Sequence, residues 1–113
     1  MADHITIRKA SGRWVVRAGG AVLGESSNAL ELAEGPYPPV IYFPREDIGM
    51  SFLDQTPSTT RCSHKGTATY FTVAGLDGDI VDAAWSYEEP LDPLSAIAGH
   101  IAFHSDQVAV EKF

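Results

Sequence analysis

The residues best suited to chemistry lie in one short segment, residues 61–66, which reads Arg-Cys-Ser-His-Lys-Gly and holds the only cysteine of the chain. If this segment is extended, Cys62 and His64 point to one face, where they could work as nucleophile and base. A neighbouring cation favours the reactive thiolate form of a cysteine. The open alternative is that Cys62 packs as a small hydrophobic side chain or lines a binding site. Cys62 and His64 are therefore the candidate catalytic residues.

Basic side chains are scarce around this segment. Only Arg45, Arg61 and Lys65 fall between residues 18 and 111, against fourteen acidic residues. Lys65 could hold an anionic ligand as a point charge, and Arg45 could bind a carboxylate or phosphate through its planar guanidinium. The alternatives are a solvated turn lysine and an arginine paired with one of the many acids. Lys65-Gly66 does not end a phosphate loop, because the earlier glycine of that motif is missing.

A second dense segment, residues 82–87, reads Asp-Ala-Ala-Trp-Ser-Tyr. On a strand, Trp85 and Tyr87 share one face with Ala83, while Asp82 lies on the other face. Small alanines beside large aromatic rings can leave a groove walled by one of those rings. The alternative is a core tryptophan whose indole N–H is hydrogen-bonded.

Composition limits the classes of function. At 113 residues and 12.2 kDa, the chain is expected to form a single domain, residues 1–113. Its net charge of −7 and pI near 4.8 argue against binding to nucleic acid or to anionic membranes. One cysteine excludes an internal disulfide and paired-cysteine zinc sites. We expect neither metal nor cofactor, and His100 and His104 are interpreted as rim residues.

The N-terminal residues show no charged-then-apolar leader, and no apolar run approaches membrane-spanning length. A cytoplasmic location is therefore expected.

Short alternating runs of apolar and polar residues, separated by turn residues, predict an all-β domain of eight or nine short, mostly antiparallel strands. Gly19-Gly20, residues 75–78 and Ser105-Asp106 are predicted hairpin turns. Single helical turns are predicted at 44–48 and 93–98. The predicted strands cover residues 4–9, 13–17, 21–25, 29–32, 40–43, 67–74, 79–87, 101–104 and 107–111.

Three motifs in order carry a family resemblance: Tyr-Phe-Pro-Arg-Glu-Asp at 42–47, Arg-Cys-Ser-His-Lys-Gly-Thr-Ala-Thr-Tyr at 61–70, and the segment 82–87. With the tail at 97–104, the chain resembles the bacterial domain-of-unknown-function 427 family from about residue 13 onward. Most members have Cys-Pro-aromatic-Lys-Gly where this chain has Cys62-Ser63-His64-Lys65-Gly66. His64 therefore stands where the family commonly has an aromatic residue.

The resemblance implies a small β-tent (Mss4-like) domain, related in shape to zinc-bearing proteins such as methionine sulfoxide reductase B. The zinc cysteines of those relatives are missing here, which implies a metal-free version. Such relatives commonly bind ligands in an aromatic-lined pocket. The family is also catalogued under a nucleotidyltransferase label, but the sequence lacks the paired carboxylates and the glycine–serine phosphate loop that such enzymes need.

Three functional hypotheses follow. The first is a small-molecule-binding domain, which could be an enzyme, whose ligand has an anionic group and an aromatic body. The second is a non-catalytic protein-interaction module, in which Arg45 and Lys65 are ion-paired and Trp85 is fully buried. The third is a thiol-based redox sensor that uses an exposed Cys62. The pocket of the first hypothesis would be built from Arg45, Cys62, Lys65, Trp85 and Tyr87, with Tyr42 in the ligand set and with His64 and Asp82 at its margin.

Overall fold

The computed structural model describes residues 4–18, 20–75 and 78–113, and strands dominate these residues. This confirms the all-β fold class. The radius of gyration of the chain, 13.4 Å, is about that expected for a compact protein of this length. The described strands are β1 Ile5–Lys9, β2 Trp14–Ala18, β3 Ala21–Ser26, β4 Leu30–Glu34, β5 Val40–Tyr42, β6 Leu53–Cys62, β7 Gly66–Gly75, β8 Gly78–Ser86, β9 Ala102–Phe103 and β10 Ala109–Lys112.

The strands form three sheets, and every pairing between named strands is antiparallel. The strand orders are β1-β4-β5, β10-β2-β3 and β6-β7-β8-β9. We call these the first, second and third sheets. The β-tent arrangement itself stays an expectation drawn from the family resemblance.

Two apolar clusters hold the sheets together. The first core contains Phe43, Phe71 and Ile101, and the second core contains Tyr42 and Tyr87. Neighbouring residues Tyr42 and Phe43 enter different cores because successive side chains of an extended chain point to opposite sides. Both are almost completely buried, at 1% and 0% exposure. One short segment therefore joins the two clusters.

Short 3-10 helical segments lie at Arg45–Asp47, Met50–Phe52 and Asp92–Ile97, the last with a kink at Leu94. The first and third agree with the helical turns predicted at 44–48 and 93–98. Each begins at or beside a proline, which has the backbone angle that a first helical position needs. The turn at Met50–Phe52 was not predicted.

Gly24 lets β3 approach the chain that follows the first 3-10 turn. Its backbone pairs with Ile48, and the Gly49 amide donates to the Leu23 carbonyl at 2.8 Å. A Cβ atom at position 24 would lie 2.5 Å from the Asp47 carbonyl oxygen and 2.6 Å from the Ile48 side chain. Only glycine fits this contact without a shift of the backbone.

Two parts of the predicted strand pattern need correction. Strand β6 was not predicted, and the ten described strands exceed the expected eight or nine. The last two strands do not form the hairpin expected around Ser105-Asp106. Instead β9 pairs with β8 and β10 pairs with β2, so the chain crosses from one sheet to another between them.

The other two predicted turns lie partly outside the described residues. Gly19 is not described, but the flanking Ala18 and Ala21 pair as a hairpin requires. Residues 76 and 77 are not described, and Gly75 pairs with Gly78 on either side of them. Within the described residues, no helix has the length and apolar character needed to cross a membrane.

Candidate ligand-binding site

A cavity of about 410 Å³ opens where the three sheets meet. The second sheet supplies Trp14 and Val110, and the first sheet supplies Val40 and Ile41. The third sheet supplies Trp85, from β8, together with the end of β9 and the loop that follows it. Both tryptophans of the chain thus line the same cavity. Its size and largely apolar lining are those of small-molecule sites.

The two indole rings are fixed by hydrogen bonds that leave the cavity. Nε1 of Trp85 donates to Tyr42 Oη at 3.2 Å, and Nε1 of Trp14 donates to the Ser11 carbonyl oxygen at 3.1 Å. The indole N–H of the half-buried Trp85 is satisfied by this acceptor, so Tyr42 positions the wall without lining it. What each ring can offer to a ligand is its carbon surface.

His104 completes this wall. Its ring lies 4.7 Å from the Trp85 ring and is stacked 6.4 Å from the Tyr70 ring, measured between centroids. The sequence placed His104 at the rim, and its cavity role was missed because the partner of β9 was not known. The pattern also gave no sign that Trp14 lines the same cavity as Trp85, which lies on a different sheet.

Two acids, Glu31 and Asp106, provide the charge of the lining. One oxygen of Glu31 accepts a hydrogen bond from Arg8 Nε at 2.9 Å. The Arg8 side chain is 75% exposed while that of Glu31 is only 22% exposed. The carboxylate therefore belongs to the cavity wall, and its cation reaches it from the surface.

Lys65 is engaged with Glu34. Its Nζ donates to Glu34 Oε1 at 2.7 Å, and the lysine side chain is only 13% exposed. The other Glu34 oxygen lies 3.5 Å from His4 Nε2, and the His4 ring meets the His64 ring edge-on at 5.0 Å. The hydrogen bond from Lys65 is the main cause that lowers the pKa of Glu34. This pair ties the end of β4 to the turn between β6 and β7.

The extended geometry assumed for residues 61–65 is wrong. Residues 63–65 form a turn, in which the Lys65 amide donates to the Cys62 carbonyl at 3.2 Å. The alternation that would place Cys62 and His64 on one face does not apply in a turn. The His64 ring contacts His4 instead, and Cys62 is a half-buried free thiol.

Arg45 is also paired. Its Nη1 donates to both carboxylate oxygens of Glu88, at 3.1 and 3.2 Å, and to the Gly99 carbonyl at 2.9 Å. The guanidinium also lies 5.7 Å from the centre of the Phe71 ring. Arg45 thus links the first 3-10 turn to the two ends of the segment between β8 and β9.

The family is settled by comparison. Residues 6–112 match the model of a family described as domain of unknown function (DUF427). The chain belongs to the DUF427 family. A comparison with curated proteins finds no match.

Two phenols of this DUF427 chain, Tyr42 and Tyr87, lie in the second core. Burial raises the pKa of Tyr42 to about 12. Burial also raises the pKa of Tyr87, and the charges of Tyr42 and Cys62 act in the same direction. Both phenols therefore stay protonated near neutral pH. Trp85 packs against this core as well, and of these three aromatic residues only Trp85 lines the cavity.

Asp82 sits at a bulge in β8. Its φ of 52° coincides with a register shift in the pairing of β7 with β8. Thr56 Oγ1 donates to its carboxylate at 2.7 Å, so Asp82 fastens β6 across the sheet. The expected alternation, with Ala83, Trp85 and Tyr87 on one face, does not hold near this bulge. Ala83 packs in the first core, whereas Trp85 and Tyr87 pack in or against the second.

The predicted site residues thus separate into groups. Trp85 lines the cavity, Tyr42 accepts its indole hydrogen bond, Tyr87 packs in the second core, and Cys62 lies outside the cavity lining. Lys65 and His64 belong to the contacts around Glu34, and Arg45 pairs with Glu88. Among the described residues, no group of three or more His, Cys, Asp and Glu side chains is arranged to hold a metal ion.

Proposed function

We propose that this DUF427 domain binds a small molecule in the cavity between the three sheets. The observation that supports it best is the combination of a volume of about 410 Å³ with two tryptophan walls. Apolar cavities of this size bury most of the surface of a small ligand, and a few polar groups orient it. Glu31, His104 and Asp106 provide those groups here.

The pocket proposed here differs in composition from the one expected from the sequence. Neither Arg45 nor Lys65 lines the cavity, and each is held by a carboxylate. The cavity therefore gives no support to the anionic group expected on the ligand. Trp85 is the residue common to both versions of the pocket.

The protein-interaction hypothesis keeps one argument in its favour, which is the pairing of Arg45 and Lys65 that it requires. It also requires a fully buried Trp85, whereas this residue is half-buried at the cavity. The redox-sensor and nucleophile hypotheses depend on access to Cys62. Slow alkylation of Cys62 at neutral pH would argue against both.

Fluorescence offers a direct test, because both tryptophans report on the cavity. A library of small acids, phosphates, nucleotides, amines and neutral aromatics is screened by thermal shift, and each hit is titrated by tryptophan emission. Val110→Phe fills the cavity from β10. Val81→Phe adds the same ring on β8, where the side chain is 68% exposed and lies outside the lining.

A ligand of the cavity loses roughly tenfold or more in affinity in Val110→Phe, because the new ring occupies its space, and binds Val81→Phe normally. The proposal fails if every hit binds the two variants equally. It also fails if the library yields no hit while an interaction partner protects Trp85 from solvent quenching.

A further inference from the structure

The cavity wall carries negative charge alone. Glu31 and Asp106 are its charged side chains, and no lysine or arginine is in the lining that the described residues form. Arg8 contacts Glu31 from the solvent side, with a side chain that is 75% exposed. Because the arginine of this pair is largely in solvent, the pair is weak, so a ligand cation can compete for the carboxylate.

The tryptophans point to the same charge class. Each indole N–H, the only donor that the ring has, is already bound, to Tyr42 or to the Ser11 carbonyl. The rings can therefore present only their π surface and carbon edges to a ligand. The electron-rich face of an indole attracts cations more strongly than the other aromatic faces do.

An anionic ligand would meet the opposite conditions. It would lie beside two carboxylates, with no lysine or arginine among the described lining residues to neutralise it. Arg45 and Lys65, the cations expected to hold an anion, are bound to Glu88 and Glu34. The net charge of −7 adds a long-range field that attracts cations and repels anions.

We propose that the cavity selects an organic cation with a compact apolar body, such as a quaternary or protonated amine. Its apolar body packs against Trp14 and Trp85, and its charge faces Glu31 and Asp106. This inference rests on the small-molecule binding proposed above and adds the charge class of the ligand.

Three probes of nearly equal shape test the charge. They are choline, its uncharged carbon analogue 3,3-dimethyl-1-butanol, and the anion 3,3-dimethylbutyrate. Binding is followed by tryptophan emission at about pH 8. Choline is expected to bind about fivefold or more tightly than the alcohol, and the butyrate more weakly than both.

Charge variants identify the carboxylates. Glu31→Gln and Asp106→Asn are each expected to lower the affinity for choline about three- to tenfold and to leave the affinity for the alcohol unchanged. Glu46→Gln is the matched control, since it removes one charge at an exposed residue outside the lining. Arg8→Met should act in the opposite direction and raise the affinity for choline about twofold, because Arg8 no longer competes for the Glu31 carboxylate.

The inference is overturned if the alcohol or the butyrate binds as tightly as choline, if neither carboxylate variant changes choline binding, or if choline gives no response up to its solubility limit. If the alcohol binds as tightly as choline and Val110→Phe weakens it, the cavity binds ligands and only the charge class is wrong. If Val110→Phe changes the binding of no probe and of no library hit, the proposed function fails as well.

Discussion

Removal of Lys65 should destabilise the fold far more than the loss of an ordinary surface lysine. The pair with Glu34 joins β4 of the first sheet to the β6–β7 turn of the third through a 2.7 Å contact. At an effective dielectric constant of about 20, opposite charges at this distance attract by about 6 kcal/mol. Because both groups lose hydration, most of that energy is offset. About 1.5–3 kcal/mol remains for a charge-assisted hydrogen bond at this exposure.

Lys65→Met keeps the aliphatic stem and removes the charge, so we expect a loss of about 2 kcal/mol in the free energy of unfolding. For a chain of this length, that loss lowers the melting temperature by roughly 6–10 °C. Arg61→Met is the matched control, because it removes an exposed cation two residues before the same turn. Urea unfolding of wild type, the single variants, Glu34→Gln and the double variant gives the coupling energy of the pair.

The effect should depend on pH in one direction. Folding lowers the pKa of Glu34 below its ordinary value of 4.5. The ionised carboxylate therefore contributes its full stabilisation above pH 4.5, and this contribution is lost as the pH falls through the lower pKa of the folded protein. The difference between wild type and Lys65→Met should therefore shrink as the pH is lowered from 7 to 3. A coupling energy below about 0.5 kcal/mol, or a difference that stays constant with pH, would refute the reasoning.

Two further changes probe the packing by chemical unfolding at neutral pH. Gly24→Ala should lower the free energy of unfolding by about 2 kcal/mol or more, since the alanine Cβ would lie 2.5 Å from the Asp47 carbonyl oxygen. Unchanged stability would contradict that close contact. Ser86→Ala should be neutral or stabilising by up to about 1 kcal/mol, because the buried Ser86 hydroxyl has no hydrogen-bond partner among the described residues. In contrast, Ser26→Ala should cost about 1–3 kcal/mol, because the Ser26 hydroxyl bonds Asp47 at 2.7 Å and the Asn28 amide at 2.9 Å; equal effects of the two serine changes would contradict this account.

Strand positions could be predicted where one face is buried, because burial imposes the alternation of apolar and polar residues that the sequence displays. Strand β6 could not, since most of its residues are exposed and an edge strand of this kind needs no apolar face. Its Thr- and Ser-rich sequence and Pro57, which falls at a break in register, are typical of an edge but equally of a loop.

Pairing partners were less predictable than strands. The two segments around Ser105-Asp106 were predicted to pair with each other because they are adjacent in sequence. In the fold, each has a longer apolar partner elsewhere, β8 for one and β2 for the other. The cavity wall that includes His104 and Trp14 depends on those distant pairings, so the residues that line it could not be assembled from local patterns.

The paired cations illustrate the same limit. The scarcity of basic residues marked Arg45 and Lys65 as unusual, but their partners, Glu88 and Glu34, are 43 and 31 residues away in the chain. In an acidic protein, a rare cation has many carboxylates within its reach, and the sequence does not say which one it meets. Both residues prove to join separate parts of the backbone.

Val110 brings β10 into the wall of the cavity. A wall of the hollow is contributed by the tenth strand in chain order, which is held through β2, close to the other end of the polypeptide. A chain that ended between β9 and β10 would retain both indoles but lack the part of the cavity wall that Val110 provides. Under the proposed function, binding therefore requires the last strand to be docked, and a protease that cuts between β9 and β10 and releases β10 would weaken binding while leaving Trp14 and Trp85 intact.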